Sequence, residues 1–171
     1  PREMLGFNSA LYSPVVYIPQ ALGNGIGRIL GAGPLALLYW QRLFNTLASL
    51  ALVFFALRLA TAQSLALLAI ALSPMVLFLR SSASADPMTF AVVLLFIAAL
   101  SRELGETGLI SIRRLGAFAL LIAILGLCKN IYFPLAGALF CLPASRFGGS
   151  ARKKFMILVG LCLVALLPSA L

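Results

Sequence analysis

Residues 59–79, LATAQSLALLAIALSPMVLFL, carry no charge across 21 positions, and the polar break RSSASADPM at residues 80–88 follows them. As a helix the uncharged run would be about 31 Å long, which matches roughly 30 Å of bilayer hydrocarbon. The break that ends it holds Asp86, one of only four acidic residues in the chain. Charges are costly near lipid and tend to persist where they have a task. Further uncharged runs at 43–57, 87–101, 115–128, 130–145 and 155–171 repeat the pattern. Several fall short of the usual ~20 residues and call for tilt or for flanking small residues. The expected fold is all-α, a polytopic transmembrane helix bundle.

Composition supports this. The chain is 63% hydrophobic and 10% charged, with mean hydropathy +1.10. Soluble domains are about 45–50% apolar and about 25% charged. The net charge of +9 does not point to nucleic acid, because the basic residues are separated by membrane-length apolar runs and form no single basic face. There is no His and no Cys-x-x-Cys. Cys128, Cys141 and Cys162 lie in apolar runs and read as small buried side chains, so no metal site is expected within these residues. No nucleophile–base pair is visible either. The serines at 81, 82 and 84 have no His to activate them.

Six spans are expected, at about 36–57, 64–80, 87–101, 114–128, 131–144 and 155–171, with residues 1–33 as an outer loop. The start without Met and the end inside an apolar run predict a piece of a larger polytopic protein. Lys and Arg sort the loops. Arg58, Arg102, Arg113, Arg114, Arg146, Arg152, Lys153 and Lys154 fall on one side, against Arg80 and Lys129 on the other. The positive-inside rule then assigns 58–63, 102–113 and 145–154 to the cytoplasm. Residues 1–33, the Arg80–Asp86 break and Lys129 face outward. Within 1–33, Val15, Ile18, Leu22, Ile26 and Ile29 recur at helical spacing, while Gln20, Asn24 and Arg28 share the other side. This predicts a short amphipathic helix, either lying in the outer interface or packed on the bundle. Gly23, Gly25 and Gly27 read as weakening it.

The outward residues are the candidates for function. Arg42 is followed on nearly the same helical face by Asn45, Thr46 and Ser49. Such a stripe lines a bundle interior or a cavity, or else Arg42 snorkels and the small polar residues pack helices. Asp86 before Pro87 reads as a helix N-cap, while the serines and the helix start beside it offer donors to an anion. Lys129 before Asn130 resembles a C-terminal cap. Taken together, Arg80, Lys129 and Arg42 could hold a phosphate at the outer surface. Tyr17 and Tyr132 are outward aromatics that could contact a substrate or simply anchor the interface.

The run Tyr12-Ser13-Pro14-Val15-Val16-Tyr17-Ile18-Pro19-Gln20-Ala21 resembles a motif of a bacterial family of predicted membrane proteins, domain of unknown function family 2142. So do Arg42, Ser84-Ala85-Asp86, Lys129 with Tyr132 and Pro134, and Arg146-Phe147-Gly148. That family looks related to the GT-C membrane glycosyltransferases, which move a sugar from a polyprenyl-phosphate donor to an acceptor outside the cytoplasmic membrane. The resemblance implies a role in cell-envelope glycan assembly in the inner membrane. Membrane lipid and a polyprenyl-phosphate sugar are the expected partners, nucleic acid is not, and protein partners are left open. In such enzymes an acidic residue in the first outer loop serves as base or metal-linked acid, and the family is expected to carry an Asp-Glu…His motif. It would precede residue 1, so no catalytic residue is named here. Any divalent metal would belong to the parent protein. A lipid or sugar transporter or flippase, and a non-catalytic membrane subunit, stand as alternatives.

Overall fold

The structure is a computed structural model of the chain and describes residues 13–60, 63–128, 130–149 and 151–166, with the backbone alone at 130, 131, 133, 151, 153 and 161–166. A 3-10 turn, Pro14–Tyr17, leads into α1 (Ile18–Ile29) and α2 (Pro34–Leu59). Then come α3 (Ser64–Ala71), α4 (Pro74–Arg80), α5 (Asp86–Gly105) and α6 (Ile112–Cys128). Two 3-10 segments, Asn130–Cys141 and Ala144–Phe147, precede α7 (Ala151–Leu166). The described residues contain no strand, as the composition predicts.

Among the described residues two helices, α2 and α5, are long and apolar enough to cross a membrane. The expected single span over 64–80 is instead two short helices, because Ser73 takes an extended conformation (φ −60°, ψ 143°) before Pro74. Proline disfavours helical backbone at the residue before it, and Pro74 was visible in the uncharged run. Residues 130–141 are 3-10 rather than α. Pro134 lies inside this segment and has no N–H to donate, which interrupts an α-helical ladder there. At about 2.0 Å per residue the segment still reaches roughly 24 Å.

α5 is the central element. One face sends Ala91, Leu94 and Ala98 against Val53 and Ala56 of α2 and Leu67 and Ala71 of α3. Alanines here let the helix backbones approach closely. Another face sends Val92 and Phe96 against Phe118, Ile122 and Leu125 of α6. The Phe96 and Phe118 rings meet edge-on, with centroids 5.8 Å apart.

α1 is seated on α2 by its glycines. A Cβ at Gly23 would lie 2.5 Å from the Trp40 carbonyl oxygen, and one at Gly27 would lie 2.8 Å from Leu37 Cδ2. Gly23 and Gly27 are four residues apart, the spacing at which small residues bring two helices into contact. The glycines expected to weaken α1 are thus what allow it to dock.

The outer surface is apolar and much of the polar inventory lies inside. On α2, Leu43, Leu47, Leu50 and Phe54 are exposed, whereas Asn45 and Ser49 are fully buried. On α1, Ile18, Leu22, Ile26 and Ile29 are exposed while Gln20 is buried. Apolar stripes of this extent are unfavourable against water and suit lipid.

Candidate functional site

The break at 81–85 is held from two helices through its backbone carbonyls. Gln20 Nε2 of α1 donates to the Ser84 carbonyl at 2.7 Å. Asn45 Nδ2 of α2 donates to the carbonyls of Ser82 and Ser84, each at 3.1 Å. Thr46 Oγ1 donates to the Arg80 carbonyl at 3.0 Å. Inside the loop, Ser82 Oγ donates to the Leu79 carbonyl at 2.6 Å, and the Ser82 and Ser84 hydroxyls lie 2.8 Å apart. Asn45 and Thr46 of the expected polar stripe therefore bind the backbone of another segment, and Ser49 donates to the Thr46 carbonyl of its own helix at 2.9 Å. In lipid a backbone carbonyl without a donor costs several kcal/mol, so these side chains make an irregular loop tolerable beside α2.

Asp86 is the first residue of α5, not its N-cap. Ala85 is the cap, with no side-chain cap bond. Helix α5 begins one residue earlier than the Asp-Pro signal suggests, and Pro87 occupies its second position. The carboxylate still sits in the first turn, where the helix dipole favours it. Ser84 Oγ approaches Asp86 Oδ2 at 3.5 Å.

Arg80 ends α4 and is only 6% exposed. Its Nη2 is buried and has no hydrogen-bond partner among the described residues, and no ion pair there involves it. Arg42 points into a groove of about 580 Å³ along the first half of α2, lined by Tyr39, Trp40, Arg42, Leu43, Thr46 and Ser81. Thr46 links the two, since it lines the groove and holds the Arg80 carbonyl. Tyr17 packs beside Val16, Ala85 and Cys128. Tyr132 does not join this group; it packs against the α5–α6 core. Lys129 lies outside the described residues. Cys141, expected to be buried, is exposed.

A second polar assembly lies about 26 Å along α5 from Asp86, taking 17 residues at 1.5 Å. Glu103 is 3% exposed and Arg146 1%. Glu103 Oε1 accepts from Arg114 Nη1 at 2.9 Å, and Glu103 Oε2 accepts from Arg146 Nη2. Glu106 accepts from Arg114 Nη1 and from Arg102 Nε, the latter at 3.1 Å. The Ile110 N–H donates to the Arg146 carbonyl at 3.0 Å. This network ties α5, α6 and the 144–147 turn together. Sequence reasoning counted its arginines as loop charge and set Arg146 in a family-like motif, without pairing any of them to an acid. The scarcity of acids that drew attention to Asp86 applies equally to Glu103.

Hydrogen bonds from Arg114 and Arg102 hold the Glu106 carboxyl below its ordinary value. A depressed carboxyl pKa adds stability that is complete above the unfolded value of about 4.3 and is lost as pH falls through the folded value. Thermal melts should therefore fall below about pH 4. Glu106→Gln should melt lower than wild type at pH 7, and the gap should close under acid. A constant gap across pH would contradict the pairing.

Exposed apolar stripes on α1 and α2, with buried polar side chains among the helices, suit a membrane protein. The family model for predicted membrane proteins of unknown function, DUF2142, matches residues 2–170. The chain belongs to that family. No curated protein and no solved structure matches it.

Proposed function

We propose that this chain is the membrane region of a GT-C-like glycosyltransferase that takes its sugar from a polyprenyl-phosphate carrier for cell-envelope glycan assembly. The observation that supports this best is Arg80, a buried guanidinium with an unpartnered nitrogen beside a serine loop and an apolar groove. A buried cation is costly without an anion. A lipid-linked phosphate would supply the anion, and its chain would lie along the groove by Tyr39, Trp40 and Leu43. Arg42, exposed in that groove, is the second phosphate ligand, and Lys129 the third. Asp86 orients a sugar hydroxyl, and Tyr17 borders the loop. Tyr132, packed against the α5–α6 core, is not a phosphate ligand in this reading.

In this reading the chain crosses the bacterial inner membrane about six times, with the Glu103–Arg146 end in the cytoplasm and the 81–86 loop outside. The shorter spans, broken at Ser73 and 3-10 over Asn130–Cys141, are completed by tilt and flanking residues.

A second reading, a transporter or flippase for a lipid-linked sugar, draws on that same break at Ser73-Pro74. Discontinuous helices are common where transporters bind their cargo. Purified whole protein given a polyprenyl-phosphate sugar and acceptor separates the two. Glycosylated acceptor in detergent, where there are no sides to cross, supports transfer. Movement across vesicles without any transfer supports transport and refutes the enzyme.

A further inference from the structure

We propose that the cleft between α2, α5 and α6, at the end opposite the serine loop, binds the headgroup of an anionic phospholipid, with Arg102 and Arg114 as its ligands. The cleft measures about 150 Å³. Leu59, Ala99, Phe118 and Leu121 form apolar walls, and Arg102, Glu103 and Arg114 supply the polar side. Its volume equals roughly five waters at ~30 Å³ each, which admits a phosphate group and leaves the acyl chains outside.

Charge favours an anion. Three arginines, Arg102, Arg114 and Arg146, meet two carboxylates, Glu103 and Glu106, which leaves one positive charge in excess. Both Glu103 oxygens are already engaged, one by Arg114 and one by Arg146, so that carboxylate is neutralised rather than presented to the cleft. The excess is also visible as unmet donors. Arg146, joined to the cleft through Glu103 but not part of its lining, is 1% exposed and has buried Nε and Nη1 atoms with no hydrogen-bond partner among the described residues. Buried polar groups in folded proteins are nearly always satisfied. Arg102 and Arg114 keep 41% and 39% of their side chains exposed, so a ligand can reach them.

The lipid is favoured over free phosphate by what surrounds the cleft. Leu104 and Leu120, next in sequence to lining residues, are exposed. They give acyl chains an apolar surface to run along once the headgroup is seated. Basic clefts between membrane helices are a recognised way of holding anionic headgroups.

The test is lipid titration of the purified whole protein, followed by native mass spectrometry. Phosphatidylglycerol should bind well above phosphatidylcholine of the same chains. Arg102→Gln, at a half-exposed position, should weaken phosphatidylglycerol about fivefold, the equivalent of about 1 kcal/mol per surface arginine. Ala117→Trp leaves every charge in place and fills the cleft, and should also weaken binding. Equal binding of the two lipids would overturn the site. Loss in Arg102→Gln but not in Ala117→Trp would mean attraction by surface charge alone and would overturn it too. Inorganic phosphate competing as well as the lipid would refute the lipid as occupant.

Discussion

Replacing Glu103 by Ala should be the most damaging single change outside the serine loop. It strips the buried Arg146 of its Glu103 partner and removes one of Arg114's carboxylates. Breaking a buried pair by removing one side costs about 3–5 kcal/mol, because the remaining charge stays desolvated. At about 2–4 °C per kcal/mol for a chain of this size, the melting temperature should fall by roughly 10 °C. The effect should be non-additive. Glu103→Leu combined with Arg146→Met removes both charges and keeps the volume, which is often neutral or stabilising. The double variant should therefore melt above Glu103→Ala. If the double variant loses as much as the sum of its single changes, the network does not behave as one ion cluster.

The second large effect is expected at Gly23. Any side chain there meets the Trp40 backbone, which cannot rotate out of the way. Gly23→Val should push α1 off α2 and disturb the Gln20–Ser84 hydrogen bond, lowering the melting temperature by several degrees through overpacking of about 1–3 kcal/mol. Gly25 provides the contrast. Nothing lies within 4 Å of a Cβ at that position, and Gly→Ala inside a helix gains up to about 1 kcal/mol. Gly25→Ala should be neutral or stabilising in the same melt. Equal damage at both positions would make the effect one of helix propensity and not of docking.

These two sites show what the sequence made legible. The α-helical, membrane-like character follows directly from uncharged runs and sparse acids. The amphipathic α1 was legible in the spacing of Ile18, Leu22, Ile26 and Ile29. Its seating was not, because Gly23 and Gly27 read as helix-weakening until the facing Trp40 backbone is in view. The break at Ser73 was signalled by Pro74 but masked by the length of the uncharged run. At the candidate site, Arg80 and the serine loop stood out as charge and polarity between apolar runs. That Asn45 and Gln20 serve the loop's carbonyls depends on partners 39 and 64 residues away, and no local pattern encodes that. The Glu103–Arg146 pair spans 43 residues and was hidden for the same reason.

Arg80, whose buried Nη2 has no partner among the described residues, carries the functional account, so it is the place to test it. Purified whole protein should be assayed for sugar transfer from a polyprenyl-phosphate donor, comparing wild type, Arg80→Lys and Arg80→Gln, with melts to confirm that each is folded. Losing a charged hydrogen bond to phosphate costs about 1.5–3 kcal/mol, roughly ten- to a hundredfold. Arg80→Gln should lose that much in kcat/KM, with Arg80→Lys in between. Wild-type transfer by a folded Arg80→Gln variant would contradict the assignment of Arg80 to the donor phosphate.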